Sequence, residues 1–370
     1  MTRDIPFSRR WGIRLGTILW FVAGLGFLLA LPILVQATGW ALPVVALLAA
    51  LIALPLAWLF RKLLGSRRTL LQSWIGWAVA LFFLLSILLA APIYYLAAVT
   101  QMRPALVPQV TLTNGRKTIV FQGMQHVGIE RFYKSVVYDL EDALSQGYVL
   151  YYEGVRPATP EADAWLDRTV TGGRDLSETY RALGDLCGLQ FQNDYFQLLG
   201  RDAQVHPASH VVADVSTLDL KREYDRLMAT DPGFAKAMAA KPKSDAASPD
   251  RMEAAIRFLR QGTEGQRAIA GILCRGFMTL SLTRASGPPS GDPLDRVLID
   301  FRNRQLAARL IAEPRPRIYL TYGAMHLPGL FALLRKNDPQ WHVASVKWMR
   351  TIDAPEDHDG QMPALPAAGR

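Results

Sequence analysis

Three runs of apolar residues open this chain, and they restrict how it can fold more than anything after them. They span about Leu15 to Val35, Leu42 to Phe60 and Trp74 to Val99, and none holds a charged side chain. Helices of ~20 such residues cover the ~30 Å of hydrocarbon in a bilayer. A surface helix of a soluble domain needs a polar face, and these runs have none. The first is too long for the apolar stretch of a secretory leader, and no small-x-small cleavage pattern follows it before the next. Residues 1–103 therefore read as a three-span anchor in a lipid bilayer.

Charge supports this and sets an orientation. The first 104 residues hold nine of the 41 Lys and Arg but only one of the 32 Asp and Glu, so eight of the nine net positive charges lie there. The basic balance belongs to the anchor, and no basic face remains to suggest nucleic acid as a partner. Arg3, Arg9, Arg10 and Arg14 precede the first span, and Arg61, Lys62, Arg67 and Arg68 separate the second from the third. Gln36 to Ala41, between the first two, is uncharged. Positive charge marks the cytoplasmic side. The N-terminus is thus expected in the cytoplasm, and residues after Thr100 outside the inner (cytoplasmic) membrane, in the periplasm of a bacterium with two membranes. No ionisable residue lies within the spans, so the region reads as an anchor and not as an ion path.

Beyond a Pro-containing linker, Arg103 to Pro108, residues 104–352 read as an α/β domain. Val110 to Leu112 and Thr118 to Phe121 are strands joined by Asn114-Gly115, a hairpin dipeptide. Gly123-Met124-Gln125-His126 follows, then a helix with apolar residues at three- and four-residue steps from Ile129 to Leu144. Gly147 stops it, and a strand from Tyr148 to Tyr152 ends in Glu153. This is a βαβ unit of a parallel sheet, which gathers functional groups beyond the strands' carboxyl ends. On this reading neighbouring strands place His126 and Glu153. The grammar returns near the end: a helix from Pro293 to Glu313, a strand from Arg317 to Tyr322, then Gly323-Ala324-Met325-His326, a helix over Leu330 to Arg335, and a strand from His342 to Trp348. The fold expected is a central sheet with two pseudo-repeated strand–GxxH–helix–strand halves. Residues 157–290 read as mostly helical, with exposed breaks at Lys241 to Pro249 and Ser286 to Gly291, and 353–370 as a disordered tail.

His126, His326 and Glu153 form a first shell suited to a catalytic divalent metal ion. The same groups could also work without metal, as general bases, or serve only as hydrogen-bonding and salt-bridging residues, with Arg302 a partner for Glu153. Arg302 could bind a substrate carboxylate or a developing oxyanion, or tie the halves together through Glu153 or Asp214. For Asp214 a helix N-cap or turn role is favoured over a catalytic one. His206 and His210 are four apart, but Pro207 argues against a helix that would align them. His342 and His358 read as surface residues. The sequence has no HExxH, GxSxG or P-loop motif. Cys187 and Cys274 lack CxxC spacing, and two buried free thiols are favoured over a pairing in an oxidising compartment, which sequence alone does not decide.

These motifs resemble the TraB/GumN family, which includes the Tiki metalloproteases and is distantly related to erythromycin-esterase and ChaN-like proteins. The resemblance lies in GMQHVG at Gly123 to Gly128, FYKSVV at Phe132 to Val137 and YYEGV at Tyr151 to Val155. It continues in HVVADVS at His210 to Ser216, FRNRQLA at Phe301 to Ala307 and GAMHLPGL at Gly323 to Leu330. It implies an α/β fold with a site between two similar halves. His126, His326 and Glu153 would be the metal-binding set, and Glu153, Arg302, Asn303 and Asp214 the catalytic residues. The implied cofactor is Mn, Co or Zn, and the implied activity is metal-dependent hydrolysis of a peptide or small-molecule substrate. The alternatives are a non-catalytic protein that captures a peptide, metal or haem-like ligand, and an esterase.

Overall fold

A computed structural model of the chain describes residues 7–64, 69–171, 176–240, 261–285 and 291–354. The expected breaks at Lys241 to Pro249 and Ser286 to Ser290, and the tail beyond Ala354, lie outside these residues. The chain forms two compact units, Met1–Ala98 with Leu259–Leu273, and Val99–Phe258 with Cys274–Arg370.

The first unit is built on helices α1 (Phe7–Ala37), α2 (Ala41–Leu64) and α3 (Leu70–Met102). Three stretches within them, Trp11–Ala37, Ala41–Leu63 and Leu70–Met102, are long and apolar enough to cross a membrane. Small residues lie where the helices meet: Ala49, Ala53 and Ala57, one turn apart on α2, are buried, as are Ala30 and Ala90. Between apolar helices in lipid, such positions let the backbones approach closely. Most large apolar side chains on the helices point outward, including Leu19, Phe21, Leu51 and Leu88. That is stable only if lipid covers them.

The second unit is an α/β domain on a mixed six-stranded sheet. The strands are β1 (Ala105–Thr113), β2 (Thr118–Met124), β4 (Val149–Tyr152), β6 (His210–Val212), β7 (Arg317–Gly323) and β8 (His342–Ile352). Their order is β6-β4-β7-β2-β1-β8. Strands β6, β4, β7 and β2 are mutually parallel, and β1 runs antiparallel to both β2 and β8. The Asn114-Gly115 hairpin forms, with Gly115 at φ +83°, a conformation that glycine adopts without strain. Ala105 to Pro108, expected as linker, belongs to β1 and pairs with β8. Pro108 has no N–H to give, and pairing with β2 starts one residue later, at Gln109.

Helix α4 (Glu130–Ser145) lays Phe132, Tyr133, Val136, Val137 and Leu140 on one face of the sheet. Later in the chain come α5 (Pro160–Leu166), α6 (Leu176–Cys187), α7 (Gln192–Phe196), α8 (Gly200–Val205), α9 (Thr217–Thr230), α10 (Pro232–Ala240) and α11 (Glu264–Ala285). Helix α12 (Arg302–Ala312) packs Leu306, Ala307 and Leu310 on the opposite sheet face, joined there by Leu330 and Leu334 of α13 (Leu327–Asn337). The sheet is thus covered on both sides. This explains why Ile318 to Tyr322 of the central β7 is buried at every position without polar alternation.

Two expectations need correction. Strands β2 and β4 are not neighbours, because β7 lies between them; its unbroken apolar run suits it to the centre, where both faces are covered. Cys187 and Cys274 are not free thiols but form a disulfide between α6 and α11, 87 residues apart in sequence. Loop-closure entropy predicts that Cys187→Ser or Cys274→Ser lowers stability by roughly 2–5 kcal/mol. Chemical denaturation of the detergent-solubilised chain, with and without the bridge, measures this; an unchanged midpoint would contradict it.

Candidate functional site

The four parallel strands end on the same edge of the sheet, and each delivers one polar residue within three positions of its end. In sheet order these are Asp214 after β6, Glu153 after β4, His326 after β7 and His126 after β2. Neighbouring strands lie ~4.8 Å apart, so Asp214, Glu153 and His326 come from adjacent positions, while His126 stands two strands from Glu153.

Arg302 ties the first two together. Its Nε donates to Asp214 Oδ1 at 3.0 Å, and its Nη2 to Asp214 Oδ2 and Glu153 Oε1, both at 2.6 Å. Of the expected roles for Arg302, the structure realises the tie between Glu153 and Asp214. Helix α12 explains the placement. Its buried stripe runs Arg302, Asn303, Leu306, Ala307, Leu310, so the two polar residues hold the first places of an otherwise apolar face. A π-helical turn, Arg296–Phe301, precedes them, and the Leu298 carbonyl accepts from Arg302 Nη1.

Asp214 is fully buried and also accepts from the backbone N–H groups of Gly154 and Val215, at 3.1 and 2.8 Å. Burial alone would push its carboxyl up, but the hydrogen bonds and charge of Arg302 outweigh this and hold it below the usual carboxylate range. The expected N-cap role does not fall to Asp214. Ser216 caps α9, in a capping box with Asp219. Burial would likewise lower the Arg302 guanidinium, yet Asp214 and Glu153 keep it firmly charged. Tyr322 lies under the guanidinium, 5.2 Å from its ring centroid.

Glu153 is fixed at both oxygens, Oε1 by Arg302 and Oε2 by the Gly323 N–H at 2.6 Å. Gly323 suits this close approach, since a Cβ there would lie 3.3 Å from Glu153 Oε2. His326 is buried on the turn that follows, with Nδ1 2.9 Å from Asn303 Oδ1. With the Asn303 amide in this orientation, which leaves its Nδ2 without a partner, Oδ1 accepts from Nδ1–H and Nε2 has the lone pair. That lone pair lies 3.9 Å from Glu153 Oε1. Burial first, and then the Arg302 charge, lower the imidazole from its usual 6.5 to about 4, so His326 is neutral at pH 7.

The first Gly-x-x-His turn is built differently. Gly123 remains in β2, where a Cβ would come within 2.8 Å of the Pro108 carbonyl. His126 sits on a bend before the short strand β3 (Val127–Gly128), which pairs with β5 (Gln190–Phe191). Its ring is exposed on one side, but Tyr180 stacks on it at 4.4 Å and Gln192 Nε2 meets its Nδ1 at 2.9 Å. Desolvation by the protein on its covered side lowers its pKa; Glu153 opposes and Arg302 adds to the effect.

The structure therefore joins Asp214, Glu153 and Arg302 in one bonded cluster, sets the bonded pair His326–Asn303 3.9 Å from Glu153, and leaves His126 at the margin. Among the described residues, no three His, Cys, Asp or Glu side chains are gathered closely enough to hold a metal ion. Two of the three expected ligands, His326 and Glu153, do approach each other. Bonds of about 2.1 Å in tetrahedral geometry place two donor atoms about 3.4 Å apart, and His326 Nε2 and Glu153 Oε1 are within about half an ångström of that. Asn303 Oδ1 holds Nδ1 of His326, the support that ligating imidazoles use, whereas His126 Nδ1 meets an amide nitrogen, that of Gln192.

Tyr180, Gln192 and Tyr322 were not singled out from sequence. Tyr322 could have been, as a polar-tipped residue in the last buried position before Gly323. The other two lie in a segment without clear periodicity. His206 and His210 do share a partner despite Pro207: both bond Asp202, at 3.0 and 2.7 Å, and Tyr152 meets the other nitrogen of His210. No family model, curated protein or solved structure matches the chain.

The lowered His326 pKa sets a pH dependence. In the folded state the ring takes a proton only near pH 4, whereas the unfolded chain takes it near 6.5. Its contribution is whole above about pH 6.5 and declines as the pH falls toward 4, by roughly 3 kcal/mol in all. Denaturation of metal-free protein across this window should show the loss, and His326→Gln should flatten it; an equal slope in both proteins would contradict the assignment.

Proposed function

We propose that the chain is a membrane-anchored hydrolase of the TraB/GumN type, peptidase-like, with its α/β domain outside the cytoplasmic membrane. The observation that carries this reading is the facing pair: the His326 Nε2 lone pair and Glu153 Oε1, 3.9 Å apart, each fixed from behind. Two acceptors with no proton between them form a place for water to be oriented and deprotonated. The resemblance of both Gly-x-x-His turns to that family, and the view of them as two related halves around one site, belong to the same proposal. The Cys187–Cys274 disulfide supports the extracytoplasmic side, since such bridges persist in oxidising compartments. The arginines before the first apolar run support the same orientation.

In this mechanism Asn303 holds the His326 ring so that Nε2 faces the reacting water. Gly323 and Arg302 fix the Glu153 carboxylate, which takes the water's proton and passes it to the leaving group. Asp214 keeps Arg302 aimed at Glu153, and the exposed side of His126 receives the substrate. A divalent cation (Mn, Co or Zn) held by His126, Glu153 and His326 would polarise the substrate carbonyl and acidify the attacking water.

One observation favours a second reading. Arg302 already has two carboxylate partners and none of its charge is left for a substrate, as in a protein that captures a ligand without turnover. Full-length protein in detergent, incubated with a quenched-fluorescent peptide library and Mn, Co or Zn, separates the two. Hydrolysis should appear, and Glu153→Gln should lower it by ~10²–10⁴-fold. Stoichiometric binding without product, or cleavage indifferent to Glu153→Gln, would overturn the hydrolase reading.

A further inference from the structure

Among the described residues, the ring stack and the side-chain hydrogen bond of His126 both come from one segment, residues 176–192. Tyr180 of α6 stacks on the ring at 4.4 Å with 26° between planes. The Gln192 side chain meets Nδ1 at 2.9 Å, and the Gln192 backbone N–H donates to the His126 carbonyl at 3.0 Å. Strand β5 continues the same ladder, Phe191 opposite Val127 and Gln190 opposite Gly128. A covalent anchor sits between these contacts. Cys187, seven residues after Tyr180 and five before Gln192, is bonded to Cys274 of α11. The neighbouring Arg275 donates to the Cys187 carbonyl at 2.6 Å. Chain reversal follows at once, through Gly188 at φ +64° and the Leu189 N–H bonded to the Gly184 carbonyl.

We infer that Gln192 is a positioning residue for His126, and that the Cys187–Cys274 disulfide, by anchoring the α6–β5 turn, holds Gln192 and Tyr180 against that ring. The inference rests on the reading of His126 as part of the site. Gln192 and Asn303 each hold an Nδ1, but with opposite ends of the amide: Asn303 Oδ1 accepts from Nδ1–H of His326, whereas Gln192 Nε2 donates to Nδ1 of His126 and leaves the proton on its Nε2. His326 is buried and His126 is not. A buried histidine is oriented by packing as well as by its hydrogen bond. An exposed one has only its few contacts, so the anchor matters more at His126. Reduction by a dithiol would deliver two electrons and two protons to the bridge, giving two thiols and the dithiol's own disulfide, and would free the turn that carries these contacts.

The test reads the tautomer of His126 directly, from side-chain nitrogen chemical shifts in full-length chain labelled with ¹⁵N-histidine, in detergent, above the imidazole titration range. The native protein should show one dominant tautomer. Gln192→Leu keeps the size of the side chain and removes the bond, and it should shift the tautomer ratio about fivefold, as the loss of one hydrogen bond does. Gln192→Glu, which only accepts, should again give a single tautomer, the opposite one with the proton on Nδ1. The Cys187→Ser/Cys274→Ser chain should show the Gln192→Leu pattern. Either variant keeping the native signal would overturn the inference. Because Gln192 is half-buried and outside the core, its replacement tests the idea even if the double serine variant fails to fold. No substrate enters the measurement, so it stands or falls apart from the hydrolase proposal.

Discussion

The second unit depends on one buried guanidinium. A charge removed from water costs several kcal/mol unless it is paired and fully hydrogen-bonded. Arg302 meets that demand by drawing in Asp214 from beyond β6 and Glu153 from beyond β4. Asp214 is itself buried and takes backbone N–H groups at Gly154 and Val215. The ion pair therefore fixes two strand ends relative to α12, and Asn303, next on that helix, fixes a third through His326. Replacing Arg302 would strand a buried carboxylate and at the same time release Glu153.

Sheet order turns this local bonding into a site. Because β6, β4, β7 and β2 run the same way, their carboxyl ends share one edge, where open α/β sheets place their ligands. The order also makes the two histidines unequal. His326 follows the central strand and is enclosed by Tyr322, Asn303 and α12. His126 follows β2, outside the arginine cluster, and depends on the α6–β5 segment for its orientation. One ring is buried beside Glu153, and the other is open to solvent.

Much of this was readable in the residues. The charge-free runs of α1 to α3, the Asn114-Gly115 hairpin, the periodic stripe of α4 and the Gly-x-x-His turns are local patterns, and local patterns survive folding. What depends on distant pairing was not readable. Strand β7 (from Arg317) lies between β2 (to Met124) and β4 (to Tyr152) although it is far from both in sequence, and the Cys187–Cys274 bridge joins helices that no spacing rule connects. Asp214 resembled a helix cap because Ser216, the actual cap, stands two residues later. Gln192 and Tyr180 carry no motif, and they matter only because β5 folds beside β3.

The central claim is that Arg302 and Asp214 act as one unit. A double-mutant cycle with Arg302→Met and Asp214→Asn, followed by chemical denaturation of the full chain in detergent, tests it most directly. Each single replacement should cost about 3–5 kcal/mol by leaving its partner buried and unpaired. The double replacement should cost less than the sum of the two by about 2 kcal/mol or more. Costs that add within about 0.5 kcal/mol would show that the two residues are energetically independent, and would contradict this account of the site.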